Sequence, residues 1–364
     1  MFLCGDVMTG RGIDQVLPQS VSPQLYEPYV RYATAYVNLA ESRNGPIPAP
    51  VDYDYIWGDA MDVLEQRAPA ARIINLETAV TTNDEPWPDK SIHYRMHPEN
   101  VRCLTAAGID CCVLANNHLL DWGHRGLQET LATLQEAGIR TAGAGLQLKQ
   151  ATAPAIINTA RGRILVFAFG HPGSGIPGDW RATGERGGIN LLTDMSDAAI
   201  ENIAEDIAAV RRPGDIVVLS IHWGGNWGYG IPLEQQRFAR SLIDTAGVDI
   251  VHGHSSHHPK GIEIHNNRLI LYGCGDFLND YEGIEGHEAY RGELTLMVFP
   301  CLDRSSGELL KLELVPMRIA GFRLQHANDD EASWLAGMLD REGRKLGTSA
   351  HLTAAGTIDI HAMD

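Results

Sequence analysis

Short apolar runs that end in a polar motif recur along the chain, most of them followed by a stretch of helical periodicity. "FLCGDVM" is the first, "ARIINLETAV" follows the helix-like Ala60–Gln66, and "IDCCVLANNHLLDWG" leads into "RGLQETLATLQEAGI". In that last stretch Leu127, Leu131, Leu134 and Ala137 recur at helical spacing, which predicts a buried helix face. "RILVFAFG" and "DIVVLSIHWGGNW" read as buried strands separated by the helical "SDAAIENIAEDIAAVRR", which Pro213 and Gly214 stop. After the helix "EQQRFARSLIDTAG" come the strands "VDIVHGH", "RLILYGCGDF" and "ELTLMVFP". The strands around "KLELVPMRIAGFRLQ" read as antiparallel, and "DDEASWLAGMLDREGRKL" as a closing helix. Strands alternating with helices predict an α/β layered fold. With no clear linker or repeat, one domain over residues 1–364 is expected, with 301–364 supplying C-terminal strands and the closing helix. The Pro-rich "SRNGPIPAPVDYDYIWGD" is expected as an ordered loop over the site.

Composition narrows the function classes. The 364 residues, 44% hydrophobic and 21% charged, suffice for a substantial core. A net charge of −17 argues against nucleic acid as partner, since phosphate backbones need a basic face, and more weakly against any polyanionic polymer as substrate. No apolar run is long enough to span a bilayer, and the N-terminus lacks a basic-then-apolar leader, so no membrane association is expected. Six cysteines without paired spacing read as reduced core residues of a cytoplasmic protein.

Candidate chemistry sits at the strand ends. Asp6 lies in "GDVMTGRG", Asn75 and Glu77 in "NLET", Asn116, Asn117 and His118 in "NNH", His222 in "HWGG", and His252 with His254 in "HGH". Ligands of open α/β sheets bind at the carboxyl ends of strands. Carboxylate, carboxamide oxygen and imidazole together are the donor set of Mn, Fe or Zn. Taken singly, Asp6 reads as a helix cap, "NNH" as a turn and His222 as a core histidine; all at strand ends together, they point to a metal. Lys90, Arg95 and Arg11 offer cations for an anionic group, and Trp223 and Trp227 flank the Gly-rich "HWGGNWGYG" as candidate pocket walls. His171 follows another strand, while His257 and His258 are expected to shape the loop and His265 to be structural.

The order Asp, Glu, Asn-His, His, His-x-His resembles the calcineurin-like metallophosphoesterase superfamily. "GDVMTGRG", "NLET", "ANNHLLDWG" and "HGHSSHHPKGIEIHNNRLILYGCGDF" are similar to its CapA, or poly-γ-glutamate synthesis, branch. The resemblance covers Phe2 to Phe299 and implies a four-layer α/β/β/α sandwich. It implies metal ligands Asp6, Glu77, Asn117, His222, His252 and His254, with His118 as general acid and one or two divalent ions (Mn, Fe, Zn or Ca) per chain. Val7-Met8 stands where the superfamily has x-His after the first Asp, so one ion loses a ligand, and Glu77 replaces the usual Asp.

That missing ligand and the missing anchor make a peptide epimerase of the lasso-peptide type the leading expectation, acting on a ribosomal precursor peptide. His118 would be one acid/base group and His171, Lys90 or a metal-bound hydroxide the other; Arg11, Arg95, Trp223 and Trp227 would hold the substrate. The alternatives are a hydrolase of a small phosphoester and an accessory protein of poly-γ-glutamate or capsule synthesis.

Overall fold

The computed structural model describes residues 1–363. Two sheets of mixed direction carry the chain. In the larger, of ten strands, Phe2–Val7, Arg72–Leu76, Cys111–Val113 and Arg140–Ala142 lie parallel and adjacent. The antiparallel strands Leu294–Leu302, Leu309–Ile319, Ile358–Ala362 and Thr348–Leu352 extend it beyond Phe2–Val7. The smaller sheet has six strands, with Gly162–Gly170, Ile216–His222, Ile250–His254 and Arg268–Leu271 parallel at its centre.

Side-chain alternation sets the layers. Ile164, Val166, Val218 and Ile250 join one core with Leu3, Ile73 and Cys111 of the larger sheet. Leu165, Phe167, Val217, Leu219 and Val251 instead pack with Ile200, Ile203, Ile207, Phe238 and Leu242 of the helices Asp197–Val210 and Leu233–Asp244. Strands covered on both faces must be apolar throughout, which is why these runs lack polar alternation. Each such fully buried side chain stabilises the fold by roughly 1.5–3 kcal/mol. The helix Gly123–Glu136 buries Leu127 and Leu134 as its periodicity predicts, with Thr130 between them and Leu131 half-buried.

Two expectations are corrected. "RLILYGCGDF" is not one strand: Arg268–Leu271 pairs in the smaller sheet, whereas Asp276–Leu278 pairs parallel to Phe2–Val7 in the larger. Gly5 permits that crossing, since a Cβ there would lie 1.6 Å from the Gly275 carbonyl oxygen. The helix Asp329–Gly343, started by a capping box between Asn328 and Glu331, does not close the chain; the hairpin Thr348–Leu352/Ile358–Ala362 follows it. The Pro-rich segment is ordered: Val51 N–H donates to the Val16 carbonyl, Tyr55 Oη to the Gly321 carbonyl and Trp57 Nε1 to the Cys103 carbonyl, while Arg43 and Asn44 near its start line a cleft with His257.

Candidate metal centre

The carboxyl ends of the parallel strands from both sheets meet at one buried point. Asp6, at the end of Phe2–Val7, accepts from Asn75 Nδ2 at Oδ1 (2.7 Å) and from the Ser255 N–H at Oδ2 (3.1 Å). Ser255 reaches that position with φ at +98°, a region costly for a residue with a Cβ. His222 and His254 end neighbouring strands as register partners, with their Nδ1 atoms 2.7 Å apart, and His254 Nδ1 is 3.7 Å from Asp6 Oδ1. One ligand atom from each of Asp6, His222 and His254 lies within 4.8 Å of the others. Asn117 Oδ1 is 2.9 Å from His222 Nε2, and Glu77 Oε1 is 3.8 Å from Nε2 of both His222 and His118.

These residues fit a divalent ion. Glu77 is buried, yet its Oε2 has no hydrogen-bond partner among the described residues, which is costly for a carboxylate away from water. Burial, then the neighbouring Asp276 charge, pushes the Asp6 carboxyl up to about 7; burial and Asp6 push Glu77 well above its ordinary range. His222 and His254 are held well below the usual imidazole range, first by burial and then by neighbouring imidazoles. Neutral imidazole is the ligand form, and a cation is what would return buried carboxyls to their charged form. Asp6, His222 and His254 would hold the ion, with Glu77 and Asn117 within reach. Such an ion polarises a bound oxygen or lowers the pKa of a bound water.

His118 stands at the rim of this group. Its Nδ1 is 2.7 Å from Asp121 Oδ2 and 3.1 Å from Lys90 Nζ, and Lys90 Nζ is 2.6 Å from Asp121 Oδ1. Burial first, then Lys90, lowers the imidazole to about 4, so it is neutral near pH 7. Asp121 fixes the ring and leaves Nε2 facing Glu77. The sequence reading did not single out Asp121, although it lies three residues after His118 in the same motif.

The structure places the remaining candidates elsewhere. His252 has Nε2 on the Cys4 carbonyl (2.7 Å) and Nδ1 near Ser220 Oγ (3.1 Å), and it braces the two sheets beside the group formed by Asp6, His222 and His254. His171 accepts from the Gly173 N–H at Nδ1 and caps a short turn after its strand. Arg11 is buried and enclosed by Asp280, Glu27 and the Tyr36 hydroxyl, to which all three of its guanidinium nitrogens donate. Arg95 is buried, stacks 3.8 Å over Trp122 and donates to the Asn83 carbonyl. Trp223 is a core residue stacked on Tyr272, with Nε1 bonded to the Tyr272 carbonyl, because the strand end turns it toward the helices and not into a pocket. Trp227 does line a cleft of about 530 Å³, together with His257, Tyr281 and His287. Asp276 also went unnoticed; its pairing with His257, read above as loop-shaping, depends on the sheet crossing.

A metal-ready group at the meeting edge of two sheets defines a class, and the comparisons give it a family. Residues 1–281 match the family described as bacterial capsule synthesis protein PGA_cap, and the chain belongs to it. It is 46% identical to a "Probable polyglutamine synthesis accessory protein" of Mycobacterium tuberculosis, over 95% of this chain and 92% of that protein. It is 25% identical to the "Capsule biosynthesis protein CapA" of Bacillus anthracis, over 77% of this chain and 59% of that one. The "PGA biosynthesis protein CapA" of Bacillus subtilis is also 25% identical, over 76% and 62%. These relatives overturn the leading expectation of an isomerase acting on a lasso-peptide precursor: none of them is named for it. Among the described residues no helix is long and apolar enough to cross a membrane.

Proposed function

We propose that this chain is an accessory protein in the synthesis of a glutamate-derived polymer, working through a divalent ion held by Asp6, His222 and His254 on a four-layer metallophosphoesterase-like sandwich. The similarity to the mycobacterial polyglutamine synthesis accessory protein carries this reading, because at 46% identity it runs over 95% of the chain. The two facing sheets, with helices Asp197–Val210 and Leu233–Asp244 outside the smaller, support the layered fold. Oxygen and neutral imidazole donors suit Mn, Fe or Zn.

The chain's own residues divide the work. The ligand group would fix an ion against the polymer's amide or carboxylate oxygen. His118, oriented by Asp121 at Nδ1 and neutral near pH 7, would accept a hydrogen bond at Nε2 from an amide N–H of the polymer or from a water beside Glu77, and Lys90 adds a positive charge behind it. The net charge of −17 disfavours long-range attraction of a polyanion, so binding would rest on this local arrangement.

The test replaces the chromosomal copy with Asp6→Ala or His222→Ala and measures glutamine- or glutamate-polymer in the cell envelope. Loss of polymer at unchanged protein level is expected. Normal polymer in a strain lacking the protein altogether would refute the assignment.

A further inference from the structure

One buried ion pair stands beside the ligand group without belonging to it. Asp276 is the register partner of Asp6, so Asp6 has Asn75 on one flank and Asp276 on the other. Asp276 Oδ1 is 2.9 Å from His257 Nδ1, and its Oδ2 accepts from Asn279 Nδ2 at 2.8 Å. The Asp276 side chain is fully buried and that of His257 is 11% exposed. The Asp276 charge is felt by both Asp6 and Glu77.

Three buried carboxylates so placed would ordinarily make room for two hard cations. Here both oxygens of Asp276 are already engaged, one by an imidazole and one by an amide. Met8, two residues after Asp6, offers only a thioether, and its sulfur takes the Tyr281 hydroxyl at 3.7 Å. We propose that the centre takes a single divalent ion, and that the His257–Asp276 pair occupies the position a second ion would have. This rests on the metal reading above.

The charges close on that basis: three carboxylates face the two charges of one ion and the single charge of an imidazolium. Burial alone would pull His257 down, but the Asp276 charge and hydrogen bond outweigh it and hold the imidazole above its ordinary value. His257 also lines the 530 Å³ cleft with Trp227 and Tyr281, and its Nε2 has no hydrogen-bond partner among the described residues. A carboxylate entering from the cleft therefore meets one ion and one fixed imidazole, where a two-ion centre would offer a pair of exchangeable metals. Two ions clamp both the attacking and the leaving oxygen of a displacement; an ion beside an imidazole binds and orients an anionic group without that symmetry.

The full-length protein, stripped of metal, reloaded with Mn²⁺ and freed of excess, is assayed for manganese per chain by elemental analysis and by electron paramagnetic resonance. His257→Ala and His222→Ala are measured alongside. Wild type should hold one ion per chain, magnetically isolated. His257→Ala, which frees Asp276, should hold two spin-coupled ions, with folding checked by circular dichroism. Two ions in wild type would overturn the proposal whether or not the variant folds, and one ion in a folded His257→Ala would overturn it as well. No manganese in wild type, with His222→Ala indistinguishable from it, would instead remove the metal reading on which the proposal stands.

Discussion

Arg11 and Asp6 leave the end of the same first strand and are both buried, but their surroundings differ in how completely charge is answered. Around Arg11 each nitrogen has an acceptor: Asp280 takes Nε and Nη2, Glu27 and the Tyr36 hydroxyl take Nη1, and the rings of Tyr36 and Tyr94 cover the guanidinium at 3.9 and 4.3 Å. Around Asp6 the accounting stays open: Glu77 Oε2 has no partner, two imidazole nitrogens face each other, and two carboxyls are pushed up. A buried network that is fully satisfied holds a fold together; one that is not marks where chemistry is done. Residue type alone does not separate the two, since both clusters are built from charged side chains after a "GD" strand end.

The largest effect should come from breaking the satisfied cluster. Arg11→Ala leaves Glu27 and Asp280 buried without their cation and should cost about 3–5 kcal/mol of stability, read by urea unfolding. Manganese should still stabilise whatever fraction folds.

Asp6→Asn should cost little. In metal-free protein above pH 7 it removes a carboxyl that is costly to charge, a gain offset by the loss of one of the two hydrogen bonds that Asp6 accepts, so stability should stay near level. Because the folded value is about 7 and the ordinary one 3.8, wild type loses stability from this group as pH rises between them. The relative gain of the Asn variant is therefore full above pH 7 and fades toward pH 4. Saturating Mn²⁺, worth about 2.7 kcal/mol at a hundredfold excess over Kd, should stabilise wild type and leave this variant unmoved. Paired thermal melts with and without Mn²⁺ check both halves.

The smallest effect concerns His252, which braces the two sheets between the Cys4 carbonyl and Ser220 Oγ. Burial holds it at about 4 against an ordinary 6.5, so its contribution is complete above pH 6.5 and declines as pH falls toward 4. His252→Gln should flatten that part of the acid limb in metal-free melts; an unchanged limb would mean the ring is not held neutral.

Much of the ligand group was legible in the sequence because strand ends are local features. Asp6, Glu77, Asn117, His222 and His254 each follow an apolar run, and parallel strands deliver such ends to one edge. What failed depended on partners far along the chain. Arg11 looked available because Asp280, which closes its guanidinium, lies 269 residues away. Asp276 was invisible as a neighbour of Asp6 because the run from Arg268 to Phe277 reads as one strand, and only the Gly5–Gly275 approach reveals the crossing. Trp223 follows a ligand yet points into the core, since alternate residues of a buried strand face opposite layers. His252 and His254 likewise share a face, but the Cys4 carbonyl claims Nε2 of the first ring, whereas the second is held at Nε2 by Ser220 Oγ and turns Nδ1 toward Asp6 and His222.

The most direct measurement is a calorimetric titration of Mn²⁺ into metal-free wild type and into Asp6→Ala. A metal centre built on Asp6, His222 and His254 gives saturable binding in wild type that is weakened by at least roughly 100-fold in the variant, beyond what supporting residues alone contribute. Equal binding by both proteins would contradict it.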